Sequence, residues 1–212
     1  MRQKFQLKTL PGVCAGFLAT GLGSSLFVYS RLGSDTFNVL AEGLAGLLGT
    51  QVGTMNYLQE IVLLLVVFLW QKQTIGPGTL LGSFLVGGTM NLCQLLFGTQ
   101  LKTAGFVVRL ACIFAAPMVI GFGVALIQKS GWGLVPNDIV PMLLHEHFEQ
   151  FQYRTIRIFY DFRMFASGMI FGGTVGIGTI VSALLTGPCI QFWGIRLQNQ
   201  CNSVERFYSK EL

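Results

Sequence analysis

Hydrophobic and polar positions in this chain are grouped on the scale of whole helices. Long apolar runs cover residues 10–29, 55–70, 79–97, 107–127, 156–171 and 176–193, separated by short polar or glycine-rich breaks. A bilayer core about 30 Å thick takes roughly 17–25 residues of helix, so these runs predict six membrane crossings, some of them near the lower limit of length. Two further segments, DTFNVLAEGLAGLLG after the first run and PNDIVPMLLHEHFEQ after the fourth, lean apolar but are too short to cross. Each predicts an interfacial or re-entrant half helix. Asp35 or Asn38 in one, and Asn137 or Asp138 in the other, supply N-caps. The basic start MRQKFQLK before an apolar run has the layout of a secretory signal. Without a small-x-small cleavage site before Tyr29, and with similar runs further along, it reads as a retained helix.

Sliding the chain against itself by about 100 residues aligns its two halves. Gly21, Gly23, Leu26 and Gly33 fall on Gly121, Gly123, Leu126 and Gly133, and Asn38 falls on Asp138. One residue later in register, Thr54, Asn56 and Glu60 fall on Thr155, Arg157 and Asp161. The segment IGPGT around Gly76, Gly78 and Thr79 falls on VGIGT around Gly176, Gly178 and Thr179, and Gly87 on Gly187. Three crossings per repeat is an odd number, so the second half must insert upside down relative to the first. The expected fold is an all-α polytopic membrane bundle of six crossings, built as two inverted three-helix repeats with one half helix each. It forms a single membrane domain over residues 1–212, with repeats at about 10–100 and 104–196 and short cytoplasmic tails at 1–9 and 197–212.

Composition excludes an ordinary soluble domain: 52% of residues are hydrophobic, only 11% are charged, and the mean hydropathy is +0.61. No hydrophilic segment is long enough for an extramembrane domain. The net charge of +5 comes from basic residues scattered at segment ends instead of a stripe, which excludes a nucleic-acid partner and sets topology. Arg2, Lys4, Lys8, Lys72, Lys129, Arg154, Arg196, Arg206 and Lys210 fall on the inner side, and Arg31 and Lys102 outside. Both termini are therefore expected in the cytoplasm and the chain in the cell membrane, with the lipid bilayer as its partner. The five cysteines, Cys14, Cys93, Cys112, Cys189 and Cys201, show no metal spacing, and neither a metal nor a cofactor is expected. Trp70, Trp132 and Trp193 near helix ends read as interface anchors.

The segments LGSDTFNVLAEGL and IGPGTLLGS, with RIFYDF and GGTVGIGTIVSALLTGP in the second half, resemble the YczE/YitT-like family of bacterial integral membrane proteins. The resemblance covers roughly residues 16–193 and implies a membrane protein without naming a substrate. The chain departs from the pattern at Ile75-Gly76-Pro77-Gly78-Thr79, where the proline is suited to start a helix.

Candidate chemistry gathers in YRTIRIFYDFRMFASGMIF, residues 153–171, where Arg154, Arg157, Asp161 and Arg163 interrupt an apolar run. Arg154, Arg157 and Asp161 lie within about a 60° arc of one helix, and Arg157 and Asp161 are spaced to meet. A charge at mid-membrane depth costs on the order of 2.5–3.5 kcal/mol unless paired or wetted. Asp161 thus reads as a proton or cation site and Arg157 as its counter-ion or an anion clamp, or the two as a structural ion pair. Glu60 is the repeat mate of Asp161, with Asn56 and Gln59 on the same side of its helix. Helix rise places Glu60 and Asp161 roughly 15 Å apart in depth, as two half-sites opening to opposite faces. Asn38 and Asp138 on the half helices are candidates for gating or substrate contact. Gly76, Gly78, Thr79, Gly176, Gly178 and Thr179 read as helix starts that allow tight turns and close packing. His145, Glu146 and His147 diverge on a helix and do not suggest a metal.

With no nucleophile beside a base and no cofactor motif, an enzyme is not expected. The pattern points to a small-solute transporter or permeation protein working through the interface of the repeats and coupled to a proton or cation. A non-transporting membrane scaffold is the alternative. Helix packing of this kind is also compatible with a homo-oligomer.

Overall fold

The structure is a computed structural model that describes residues 9–198. The terminal segments with Arg2, Lys4, Lys8, Cys201, Arg206 and Lys210 lie outside the described residues. The described chain is helical throughout: α1 (Leu10–Ser30), α2 (Thr36–Leu48), α3 (Val52–Gln71), α4 (Pro77–Cys93), α5 (Thr99–Thr103), α6 (Phe106–Ser130), α7 (Pro136–His147), α8 (Tyr153–Ile170) and α9 (Ile177–Gln198). A 3-10 turn, Lys72–Thr74, ends α3, and a π turn, Gln94–Gly98, joins α4 to α5. Pro77 opens α4, where its missing N–H costs nothing.

Among the described residues, five stretches are long and apolar enough to cross a bilayer: Leu10–Ser30, Val52–Thr74, Pro77–Leu101, Phe106–Ser130 and Ile177–Leu197. The sixth expected crossing, α8, is 18 residues long, about 27 Å at 1.5 Å per residue. Its four charged side chains keep it outside that apolar class. The short helices α2 and α7, with 13 and 12 residues, fall where the half helices were expected.

The element order of α1–α4 recurs in α6–α9, and so does part of the packing, although α3 packs on α4 while α8 and α9 make little contact. α1 lies along α6; α1 also packs on α4 and α6 on α9; α2 packs on α8 and α3 on α7. The α1–α6 crossing is close because it lacks side chains at key points. A Cβ on Gly23 would sit 2.6 Å from Ile120, and one on Gly123 would sit 2.5 Å from the Gly16 carbonyl.

Turns of each half dock on the glycine segment of the other. Gly178 N–H donates to the Leu32 carbonyl (2.7 Å), and Gly78 N–H donates to the Trp132 carbonyl (3.0 Å). At the centres of the turns, Gly33 (φ 105°) and Gly133 (φ 112°) adopt a backbone that L side chains rarely reach. The Ser30 hydroxyl donates to Phe27 O and the Ser130 hydroxyl to Ile127 O, each over 2.6 Å. Thr79 Oγ1 accepts from Gly76 N–H (3.3 Å) and Thr179 Oγ1 from Gly176 N–H (3.4 Å), so both threonines close the first turn of their helices. Trp132 departs from its expected role as an interface anchor. It is buried in a cluster with Phe17, Tyr29 and Met90, and its Nε1 donates to Thr9 Oγ1 (2.8 Å). A second apolar cluster joins α2 (Phe37), α3 (Leu63, Val67), α7 (Ile139, Val140, Leu143) and α8 (Tyr160, Met164), and it borders the polar residues described next.

Candidate functional site

The two half helices begin differently. In α2, Asp35 is the N-cap: its carboxylate accepts from Asn38 N–H (3.1 Å) and from Asn38 Nδ2 (2.6 Å). Asn38, 2% exposed, turns its Oδ1 to Asn56 on α3, which donates from Nδ2 over 3.1 Å. In α7 the N-cap position is Val135 and Pro136 follows, so neither Asn137 nor Asp138 is the expected cap. Both lie in the first turn, and their side chains are spent elsewhere. Tyr160 donates its hydroxyl hydrogen to Asn137 Oδ1 (3.0 Å). Arg157 donates from Nη1 to Asp138 Oδ1 (2.9 Å) and from Nε to Asp161 Oδ2 (3.2 Å).

One guanidinium therefore bridges a half helix and its own helix, α8. The side chains of Asp138, Arg157 and Asp161 are 29%, 30% and 33% exposed, so this triad is only partly shielded. Arg154, expected on the same face, is exposed at the first turn of α8.

Glu60 on α3 is 4% exposed. The backbone N–H of Asn137 approaches its carboxylate, and Asp138 is its charged neighbour. Asp161 is likewise a neighbour of Asp138, and also of Asp35. The start of α7 packs against both α3 and α8, and Asp138 is a charged neighbour of both Glu60 and Asp161. Among the described residues, Glu60 Oε2, Asn56 Oδ1 and both amide atoms of Gln59 are buried without a hydrogen-bond partner. Asp138 thus has both Glu60 and Asp161 as charged neighbours, and Arg157 bridges Asp138 and Asp161.

Other predicted positions take no part in this cluster. Gly76, Gly78 and Thr79, with Gly176, Gly178 and Thr179, serve the turn docking between halves. His145 Nδ1 contacts Phe151 O (3.0 Å), and the His147 ring packs edge-on against Trp70 at 5.8 Å. Sequence reasoning did not single out Tyr160 or Asn137 as a pair. The available signal was their place beside Asp161 and Asp138, the two acids already chosen. A separate link, Ser34 hydroxyl to Glu42 Oε1 (2.7 Å) and Thr174 N–H to Glu42 Oε2 (3.3 Å), ties α2 to the segment before α9.

Residues 7–194 match the sequence profile of a family described as being of unknown function, DUF6198. An uncharacterized protein of Haemophilus influenzae is 27% identical over 190 residues, 89% of this chain and 84% of its own length. The uncharacterized protein YyaS of Bacillus subtilis is 27% identical over 81% of this chain and 85% of its own length. The uncharacterized membrane protein YczE, also of Bacillus subtilis, is 24% identical over 84% of this chain and 81% of its own length, which bears out the resemblance read from the motifs. No solved structure matches.

Proposed function

The chain belongs to the DUF6198 family, and from that premise we propose that it is a small-solute transporter or permeation protein of the bacterial cell membrane, coupled to a proton or cation. In this reading α8 is the sixth crossing, its charged face turned to α7 and its apolar face to lipid. The two halves are inverted repeats, both termini are cytoplasmic, and no covalent chemistry is performed. One observation carries the proposal. Inside an apolar bundle, the starts of both half helices and the middles of α3 and α8 meet in a polar cluster holding more carboxylates than cations. Broken or half helices that end at mid-depth in a repeat interface are the arrangement in which secondary carriers hold substrate and coupling ion. Membrane-buried ionisable groups are costly enough that a bundle retaining several of them has a use for them.

The scaffold alternative relies on glycine faces that receive partner helices. Here Gly16, Gly23, Gly121 and Gly123 are covered by this chain's own helices, while Gly12, Gly46, Gly187 and Gly194 stay open.

Reconstitution tests the proposal. Liposomes containing the purified protein should pass protons, reported by a lumenal pH dye, when offered the transported solute. The Asp161→Asn variant should lower that flux at least tenfold while remaining folded. Normal flux in that variant removes Asp161 from the pathway, and no flux for any solute favours the scaffold. Cysteine labelling that found the termini on opposite sides of the membrane would overturn six crossings.

A further inference from the structure

The repeat lets one half of the molecule serve as a template for the other. Asn38, Asn56 and Glu60 in the first half correspond to Asp138, Arg157 and Asp161 in the second. The second set is closed: Arg157 reaches both Asp138 and Asp161. In the first set, Asn56 reaches Asn38 as Arg157 reaches Asp138, but Glu60 Oε2 has no partner among the described residues. We propose that Asn56 and Glu60 bind one mobile positive charge, a proton or a desolvated alkali cation, in the role that the Arg157 guanidinium fills permanently in the second half. Its service as the coupling ion rests on the transport reading above.

The direction of the amides supports this assignment. Both Asp35 oxygens accept from Asn38, one from its backbone N–H and one from its Nδ2, so Asn38 presents its NH2 to that carboxyl and its oxygen to Asn56. Asn56 then spends its NH2 on Asn38 and is left with a bare Oδ1. Glu60 follows one helical turn later, where side chains can meet. Two buried acceptors on one face cannot bond each other. A proton carried on Glu60 and donated to Asn56, or a cation held between them, satisfies both at once.

The charged surroundings agree. Asp138 faces Glu60 from α7, with the Asn137 amide as a partial positive, and Tyr160 faces it from α8. Asp35 lies behind Asn38 on the α2 side, and α4 carries no charged residue from Pro77 to Cys93. Arg157 is committed to two other carboxylates. No fixed cation of the described residues is left for Glu60.

Two measurements on purified protein in detergent test this without any transport assay. Infrared difference spectroscopy between mildly acidic and mildly basic pH should reveal a protonated-carboxyl band that is lost in Glu60→Gln and kept in Asp161→Asn, if the charge is a proton. If it is an alkali cation, sodium or potassium chloride should raise the Tm over choline chloride at equal ionic strength. The rise should be roughly 3–6 °C at ten times the dissociation constant, and absent in Glu60→Gln. Asn56→Ala, which keeps Glu60, should shift the band or weaken the cation effect about tenfold, and it serves if Glu60→Gln fails to fold. Neither response in the wild type means an ionised Glu60 beside a bound water, and either response surviving in Glu60→Gln means that another group carries it; each of these outcomes overturns the site. Because no flux is read, a failed transport assay leaves this result standing.

Discussion

The two halves share a backbone plan but not its chemistry. Around the start of α2 the side chains are two amides and the carboxylates of Asp35 and Glu60: Asn38, Asn56 and Glu60 are 2%, 2% and 4% exposed, and Asn56 Oδ1 and Glu60 Oε2 are left without partners. Around the start of α7 they are full charges, about a third exposed and closed into an ion triad. Two halves with identical chemistry would carry the same site twice. Replacing Arg157 by Asn56 and Asp138 by Asn38 leaves one half with its cation built in and the other with acceptors still to be matched. The difference teaches that repeat symmetry fixes where polar groups meet, while single substitutions decide which half is a lock and which half binds.

The largest expected effect breaks the locked half. Arg157→Leu leaves Asp138 and Asp161 facing each other without a cation, which should cost about 3 kcal/mol in the shielded limit and less for a partly exposed triad. A Tm fall of several degrees measures it. Adding Asp138→Asn to Arg157→Leu should recover part of the loss, since the repulsion is then relieved. Full additivity of the two would show that the triad is not a unit.

Next in size are the turns, where the halves are expected to behave alike. Gly33→Ala puts a Cβ 2.6 Å from Gly176 N at φ 105°, and Gly133→Ala puts one 2.8 Å from Thr79 Oγ1 at φ 112°. Each should cost about 2 kcal/mol from backbone strain and lost docking. Thermal unfolding should give similar shifts for the two variants. Widely unequal shifts would mean that the turns are not equivalent.

How far the sequence could be read follows the same division between plan and chemistry. Apolar run length located the long helices, and the breaks located the half helices, because desolvation and helix length are local properties. The Arg157–Asp161 pair was legible from i, i+4 spacing, and the glycine segments from their repeat. The meeting of Glu60 with Asp138 was not. It depends on how α7 packs against α3 and α8, which is a tertiary matter that the spacing of residues along each helix does not contain. The same holds for Asp138, which looked like an N-cap by residue type. Pro136 starts that helix without one and frees the carboxylate for Arg157. Trp132 is buried instead of standing at an interface because the docking turn it belongs to is packed against the other half.

The smallest expected effect on stability is the sharpest probe of the open half. Asp35→Asn preserves the N-cap of α2, because asparagine and aspartate cap about equally well, and the change in stability should stay within about 0.5 kcal/mol. What it removes is direction. An asparagine at position 35 can donate as well as accept, so Asn38 is free to turn its NH2 toward Asn56, and Asn56 can turn its own NH2 toward Glu60 Oε2. The acceptor pair is then satisfied from within the protein, as Arg157 satisfies its counterpart in the other half. The Tm of Asp35→Asn should therefore stay close to that of the wild type while the protonated-carboxyl band or the cation-dependent rise diminishes. An undiminished response would mean that Asp35 does not set the amide direction and that the asymmetry between the halves rests on Glu60 alone.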